Sequence, residues 1–491
     1  MLAASREGPV DAIGSWIDGR SAGASGGAAL DVLEPATGER LARVAQADVE
    51  GAERAAAAAE RAFRTGPWPR ATAAERQRAL LRLAAGIRAA AEELATLEAR
   101  NAGKPIADAR WEVDAAAQCF EFFAGAATTH SGRVPPVDAR GVGVVLRQPV
   151  GPCALIVPWN FPFLIAAWKL APALAAGNTA VLKPASATPL SALRLGPLAR
   201  DAGVPDGVVN VLAGPGATLG AALVRHPAIR KISFTGDSDN GAEILRLAAP
   251  DIKRVSLELG GKSANLVFAD ADLEACVEKS LLSVFGNAGQ DCCARSRLLV
   301  EESVHDELVA RFAKATQALR VGDPLDPQTQ VGSLISPAHR ERVAGYLEVG
   351  RREGARLVCG GEIPRSGALA RGAFLLPAVF DRVTPAMRIA REEIFGPVVS
   401  VLSFRDEDEA IALANDSPYG LSGSLWTRDA PRAMRVARAV ETGVISVNAS
   451  RSVYLEAPFG GWKRSGVGRE LGVEALDAYS ELKSIYFETE A

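Results

Sequence analysis

From about residue 142 the chain breaks into short β-branched runs that alternate with helical stretches, and few folds accept that order. CALIVPW (153–159) precedes FLIAAWKLAPALAAG (163–177), and TAVLKP (179–184) precedes PLSALRLGPLARDAG (189–203). GVVNVLAG (207–214) is followed by ATLGAALVRH (217–226), and IRKISFTG (229–236) by AEILRLAAP (242–250). Strand-helix alternation of this kind implies an α/β fold, a doubly wound parallel sheet with helices on both faces. A second alternating stretch runs through VSLELGG, DLEACVEKSLLSVFGNAG and SRLLVEE, then a helix over about 304–320. VVSVLSF and GVISVNA, with a helix near 430–441 between them, complete what reads as a second α/β domain. Upstream, 48–64 and 72–101 show helical periodicity in good helix formers, with Asp48 and Thr72 as N-caps. The turn Gly103-Lys-Pro105 stops the second of these helices.

At 491 residues the chain exceeds one simple core, so two or three domains are expected. A net charge of −3 with both signs interspersed gives no basic footprint for nucleic acid and no electrostatic membrane anchor. The N-terminal MLAASREGPVDAIG places charge and proline where a signal peptide needs an unbroken apolar run. The most apolar stretch, Phe161 to Gly177, is interrupted by Pro162, Lys169 and Pro172 and would not span a bilayer. A soluble, cytoplasmic protein is expected.

The six cysteines, at 119, 153, 276, 292, 293 and 359, form no disulfide scaffold in so long a chain, and no CxxC or Cys/His spacing marks a metal site. Two of them adjoin in NAGQDCCARSR (287–297). By itself that stretch reads equally as a disulfide half, a metal corner, a pair of core thiols or a nucleophile. Two glycine-rich turns stand between strand and helix. Gly214-Pro-Gly216-Ala-Thr-Leu-Gly220 looks like a dinucleotide fingerprint one residue too long, and a plain tight turn explains it about as well. Phe234-Thr-Gly236-Asp237 offers a helix N-terminus suited to phosphate, but a carboxylate at Asp237 suits a helix cap and would repel a pyrophosphate.

Four further stretches accompany the cysteine pair: PWNFP (158–162), LELGGK (257–262), EEIFGP (392–397) and PFGGWKRSGVGRE (458–470). Together with GQDC, in this order, they closely resemble the aldehyde dehydrogenase superfamily, and the resemblance runs from EPATGE (34–39) to the final SELKSIYFE. It implies oxidation of an aldehyde to an acid with NAD or NADP. The chemistry fits the residues. A hydride leaves readily from a tetrahedral adduct rather than from the aldehyde itself, and a thiolate is the natural nucleophile to build that adduct.

The resemblance assigns Cys292 as nucleophile, and Cys293 is read as a small packing thiol. Asn160 and the Cys292 backbone N–H would hold the oxyanion, and Glu258 would activate the water that hydrolyses the thioester. Flanked by Leu257 and Leu259, its carboxyl is expected to titrate high. A glutamate here favours a free acid over a coenzyme-A thioester. Lys183 and Glu393 match ribose-binding residues, Phe395 packs near the nicotinamide ribose, and Trp159, Phe234, Gly216 and Gly236 line the cofactor cleft. Ser186 takes a position that is often glutamate in NAD-preferring relatives, which leaves room for NADP.

A cationic aminoaldehyde is the expected substrate, met by Asp291, Glu456 and the aromatic rings of Phe161, Trp168 and Phe459. The rival is a semialdehyde held by Arg295 or Arg451, and the rival of another class is a catalytically silent structural protein. The expected division is a cofactor domain over 1–128 and 150–258, a catalytic domain over 259–465, and a bridging sheet over 129–149 and 479–491. The exposed edges of that sheet point to a homo-oligomer.

Overall fold

In the computed structural model, which describes residues 10–489 apart from 24–28, 139 and 452, the strands of the first alternating stretch are buried on both faces. Pro152–Ile156, Thr179–Lys183 and Lys231–Thr235 are covered at every position. Such strands read as unbroken apolar runs because helices cover both sides of a parallel sheet. The eight-stranded sheet has the order Gly466–Val467, Arg254–Glu258, Lys231–Thr235, Pro152–Ile156, Thr179–Lys183, Val209–Val211, Ser15–Ile17 and Arg20–Ala22. The five central strands are parallel and the outer ones antiparallel.

Chain order reverses around Pro152–Ile156: the next two strands lie on one side of it and the following two on the other. Ligand crevices of open α/β sheets form at such a switch point, beyond the carboxyl ends of the strands. Those ends deliver Trp159 and Asn160, Lys183, Gly236 and Glu258 along one rim.

A second sheet has seven strands in the order Arg356–Cys359, Ala378–Asp381, Val398–Phe404, Arg297–Glu301, Ala264–Val267, Ser422–Trp426 and Val444–Val447. Only the pairing of its first two strands is antiparallel. Phe268, Phe285, Phe312 and Trp426 fill its core.

Helix Val49–Arg64 begins at Asp48, whose side chain accepts from the Gly51 N–H. The periodic stretch 72–101 is two helices rather than one, Ala73–Ala89 and Ala91–Ala102, broken where Ala90 leaves helical geometry (φ −100°, ψ 14°). Thr72 and Glu75 form a reciprocal capping box at the start, and Gly103 ends the pair at φ 78°. Helix Pro162–Ala175 is buried at every residue, so the most apolar stretch of the chain is a core helix. Among the described residues no helix is long and apolar enough to cross a membrane. Gly141–Pro149 and Ser480–Glu488 pair antiparallel over their whole length as a two-stranded arm.

Candidate active site

The cysteine loop follows helix Leu273–Phe285 through three successive left-handed residues, Asn287 (φ 49°), Ala288 (φ 55°) and Gly289 (φ 70°). Non-glycine residues in that region cost of order 1–3 kcal/mol each and persist only where surroundings hold them. Here they do. Gln290 donates to Asn287 O (3.0 Å) and accepts from the Ile335 N–H (2.9 Å). A Cβ on Gly289 would stand 2.2 Å from Gly396 O, so only glycine lets the loop meet the EEIFGP segment.

Asn160 Nδ2 donates to Gln290 O (3.0 Å), which leaves its second amide proton for another acceptor. Its backbone carbonyl accepts from Asn287 Nδ2 (3.0 Å) and from Lys104 Nζ (2.7 Å). Lys104 is buried, pairs with buried Glu112 and lies 4.5 Å from the Phe161 ring centroid. Sequence reasoning missed it, reading Gly103-Lys-Pro105 only as a helix stop. The available signal was a lysine between a left-handed glycine and a proline, where its own backbone is fixed.

Cys292 is partly exposed and Cys293 is buried, and both line one cavity. The Cys292 thiol is pushed well above its ordinary range by its hydrogen bond to Cys293, then by burial and by the charges of Asp291 and Glu393. Asp291 Oδ1 accepts from the Cys293 N–H (2.8 Å), and burial raises its carboxyl. The cavity, about 270 Å³, is lined by Phe161, Trp168, Phe459 and Asp291, and also by Asp108, Trp111 and Glu112, which the sequence reading did not single out. Trp168 and Phe459 meet edge-on at 5.5 Å. Glu456 is exposed and stands outside the cavity lining, to which the described residues of its loop contribute Val453 and Phe459. Arg295 lines the cavity but is spent on Ser424 Oγ, Cys293 O and Gly423 O. Arg451 donates to Val453 O and stacks on Tyr454 at 4.6 Å.

Glu258 ends strand Arg254–Glu258, is buried, and has no hydrogen-bond partner on either carboxylate oxygen. Burial pushes its carboxyl well above the usual range. Glu470 pushes it further, and Lys169 and Arg469 oppose the shift. A Cβ on Gly460 would lie 2.7 Å from its Oε1, so that glycine opens the niche the carboxylate occupies.

Along the crevice, Lys183 donates to Pro184 O (2.8 Å), and burial lowers its amine to about 8. Ser186 Oγ donates to Gly214 O (2.8 Å). The extra residue of the glycine fingerprint is absorbed by a wider, π-type turn over Gly216–Gly220. Gly236 is required because the Phe234 ring would lie 2.4 Å from a Cβ there. Asp237 caps helix Ser238–Ala248 by accepting from the Asp239 (3.1 Å) and Asn240 (2.9 Å) N–H groups. Glu393 accepts from the Gly261 N–H (3.1 Å). Trp159 meets Phe395 edge-on at 5.3 Å and His339 at 5.4 Å, and His339 in turn contacts Phe395 O (2.7 Å). His339 also escaped the sequence reading.

A switch-point crevice faced by a thiol loop from a second α/β domain is the layout of a dinucleotide-dependent enzyme that works through cysteine. The chain belongs to the aldehyde dehydrogenase family, whose model matches residues 22–485. It is 42% identical over 477 residues to a betaine aldehyde dehydrogenase of Bacillus subtilis, covering 96% of this chain and 97% of the relative. The solved NAD-dependent aldehyde dehydrogenase of Sinorhizobium meliloti superposes with a TM-score of 0.95 at 42% identity, covering 98% of this chain and 95% of that one. A betaine aldehyde dehydrogenase of Staphylococcus aureus, solved with NAD+, gives 0.96 at 37% identity with the same coverage. The protein is therefore an NAD(P)-dependent enzyme that oxidises aldehydes.

The crevice fits the dinucleotide. Beyond its own turn, a would-be Cβ on Gly216 meets among the described residues only Lys183 Nζ within 4 Å, at 3.8 Å, so a ligand can approach the backbone there. Lys183 is buried and Glu393 half-buried, and they bring a donor and an acceptor to the crevice.

Proposed function

We propose that this enzyme oxidises a cationic aminoaldehyde to the free acid, in the cytoplasm and as a homo-oligomer, accepting NADP as well as NAD. The cavity beside Cys292 carries the reading. Its aromatic walls and three carboxylates (Asp108, Glu112, Asp291) face a cation, while both lining arginines are engaged elsewhere. Lys104 pairs with Glu112 and also draws on Asp108 and Asp291, and Arg295 draws on Asp291, so two cations stand against the three carboxylates. Relatives named for betaine aldehyde, a quaternary-ammonium aldehyde, support the same charge preference.

In this mechanism the Cys292 thiolate adds to the aldehyde carbon. The free Asn160 amide proton and the Cys292 N–H receive the negative oxygen, and each such donor contributes about 3–4 kcal/mol to the transition state. NAD(P)+, when bound, would supply the hydride acceptor. The acyl group then remains on Cys292 as a thioester. Glu258, in its niche beside Gly460, takes a proton from water; the oxygen of that water adds to the thioester carbon, the C–S bond breaks, and the acid leaves as Cys292 sulfur is released. A base whose carboxyl titrates high is matched to work near neutral pH.

The test compares 4-aminobutyraldehyde with succinic semialdehyde and an uncharged aldehyde of similar length. The aminoaldehyde is expected to have the highest kcat/KM, and Asp291→Asn to lower it by roughly 10- to 150-fold, the value of a charge-assisted contact of about 1.5–3 kcal/mol. A wild type that prefers the anionic or neutral aldehyde contradicts the proposal.

A further inference from the structure

The nucleophile loop brings together more ligand chemistry than aldehyde oxidation uses. Oxygen of Asp291 and the sulfurs of Cys292 and Cys293 all lie within 4.8 Å of one another. The Cys292 thiol interacts electrostatically with both the Asp291 carboxylate and the Cys293 thiol. Asp291 Oδ1 is held by the Cys293 N–H, which orients the carboxylate and leaves its other oxygen available. Arg295 Nη1 donates to Cys293 O (2.6 Å) and braces the same turn from behind.

We propose that Asp291, Cys292 and Cys293 form an inhibitory site for a thiophilic divalent cation, Zn2+ being the biological example. Zinc takes Cys sulfur at about 2.3 Å and carboxylate oxygen at about 2.0–2.2 Å in a tetrahedron, so its donors stand roughly 3.4–3.8 Å apart. From a separation of at most 4.8 Å the donors need close by no more than about 1.0–1.4 Å to reach that spacing. Two sulfurs and one oxygen leave the fourth position to water from the cavity. On binding, each thiol gives its proton to solvent, two S–metal bonds and one O–metal bond form as the hydrated ion sheds all but one of its waters, and no electron moves. Two cations face the site. Arg295 is held by Ser424, Gly423 and Cys293, and Lys104 is paired with Glu112. Against them stand two thiolates and a carboxylate, so the occupied site carries little net charge. The metal silences turnover because it caps the sulfur of Cys292, a consequence that rests on Cys292 being the nucleophile. Binding itself does not depend on that role.

The experiment uses the full chain in thiol- and chelator-free buffer, with two readouts. Zn2+ is titrated against aldehyde-dependent NAD(P)H formation. Co2+ is titrated without substrate while sulfur-to-cobalt charge-transfer absorption is followed. Wild type is expected to lose activity at one metal per chain, to recover it on adding a chelator, and to show the band. Cys293→Ser and Cys293→Ala, each checked for folding by circular dichroism and referenced to its own metal-free rate, should need more than about 100-fold more Zn2+, beyond the loss of a mere outer partner. Their band should fall to about half, as expected with one thiolate ligand left of two. Asp291→Asn should weaken inhibition by at least about 10-fold. Unchanged inhibition in both Cys293 variants, or no cobalt band in wild type, overturns the site. A band without loss of activity would instead overturn the nucleophile assignment and leave the metal site standing.

Discussion

Cys292 sits among charges that work against its ionisation. Its thiol is raised by Cys293, by burial and by Asp291, so little thiolate exists at neutral pH and its fraction climbs as pH rises. Acylation should follow that limb, and Asp291→Asn, by removing a negative neighbour, should move it to lower pH. The check is kcat/KM for a small uncharged aldehyde between about pH 6 and 10, where thiols titrate; coincident profiles would refute the charge effect. Two further substitutions separate the half-reactions. Cys292→Ser should abolish oxidation, because a hydroxyl lacks both low pKa and a base here. Glu258→Gln should still acylate, releasing about one equivalent of NAD(P)H in a burst before turnover stops. Full steady turnover in Glu258→Gln would remove Glu258 from the base role. In the crevice, Ser186 gives a hydroxyl tied to Gly214 O near the Lys183 cation, with no carboxylate of its own. A glutamate there would repel a 2′-phosphate at about 4–5 Å by roughly 3–4 kcal/mol at an effective dielectric near 20, before salt screening. NADP is therefore expected to serve wild type, and Ser186→Glu to shift preference to NAD. A wild type indifferent to millimolar NADP would rule this out.

At the scale of elements, helix Pro162–Ala175 shows how a core segment carries a charge. Lys169 lies on its fully buried surface and donates to Ser233 Oγ (3.0 Å) and to the Glu470 carboxylate. This pair joins the helix to the C-terminal PFGGWKRSGVGRE segment, directly behind Glu258. Breaking a buried pair strands a charge, at about 3–5 kcal/mol. Lys169→Met should lower stability by that amount in urea denaturation, and it should also drive the Glu258 carboxyl higher, since Lys169 is one of the two cations that hold it down. A loss below about 1 kcal/mol, the value of an exposed pair, would show the pair is not buried in solution. The Ser238–Ala248 helix illustrates the opposite arrangement. Asp237 already satisfies its first amides, so this helix end meets an anion with a carboxylate in place.

For the whole molecule, the arm of Gly141–Pro149 and Ser480–Glu488 is tied to the body through the Arg133–Val145 bridge and the Arg254–Glu481 ion pair but leaves apolar side chains exposed. A two-stranded ribbon is marginal by itself, and its edges present unpaired backbone groups. Val142 and Phe487 face each other across it and both are exposed, as are Leu146, Leu482 and Tyr486. A second subunit would cover them. Leu482→Asp with Phe487→Asp should yield a smaller species by light scattering coupled to gel filtration, with the fold of each chain retained by circular dichroism. An unchanged oligomer would place the interface elsewhere.

Short-range physics was legible in the residues alone. Continuous apolar strands announced the parallel sheet because both its faces are covered, and Asp48, Thr72 and Gly103 marked helix ends because caps act within one turn. The order of GQDC, LELGG and EEIFGP carried the class of chemistry. Helix Ile106–Thr129 escaped notice because it buries most of its circumference, including Glu112, so no clean polar stripe remains. By sequence Lys104 reads only as part of a helix stop and Glu112 not at all, and packing against Asn160 and Phe161 makes them a buried pair behind the Asn160 amide. Glu456 looked like a tunnel residue until its loop turned it to solvent. The niche of Glu258 beside Gly460 and the contact of Cys293 with the nucleophile were likewise decided by the tertiary structure. A sequence encodes period and caps between neighbours, whereas the contact of Lys104 with Asn160 and the niche of Glu258 beside Gly460 join segments far apart in the chain, where packing alone fixes which side chains meet.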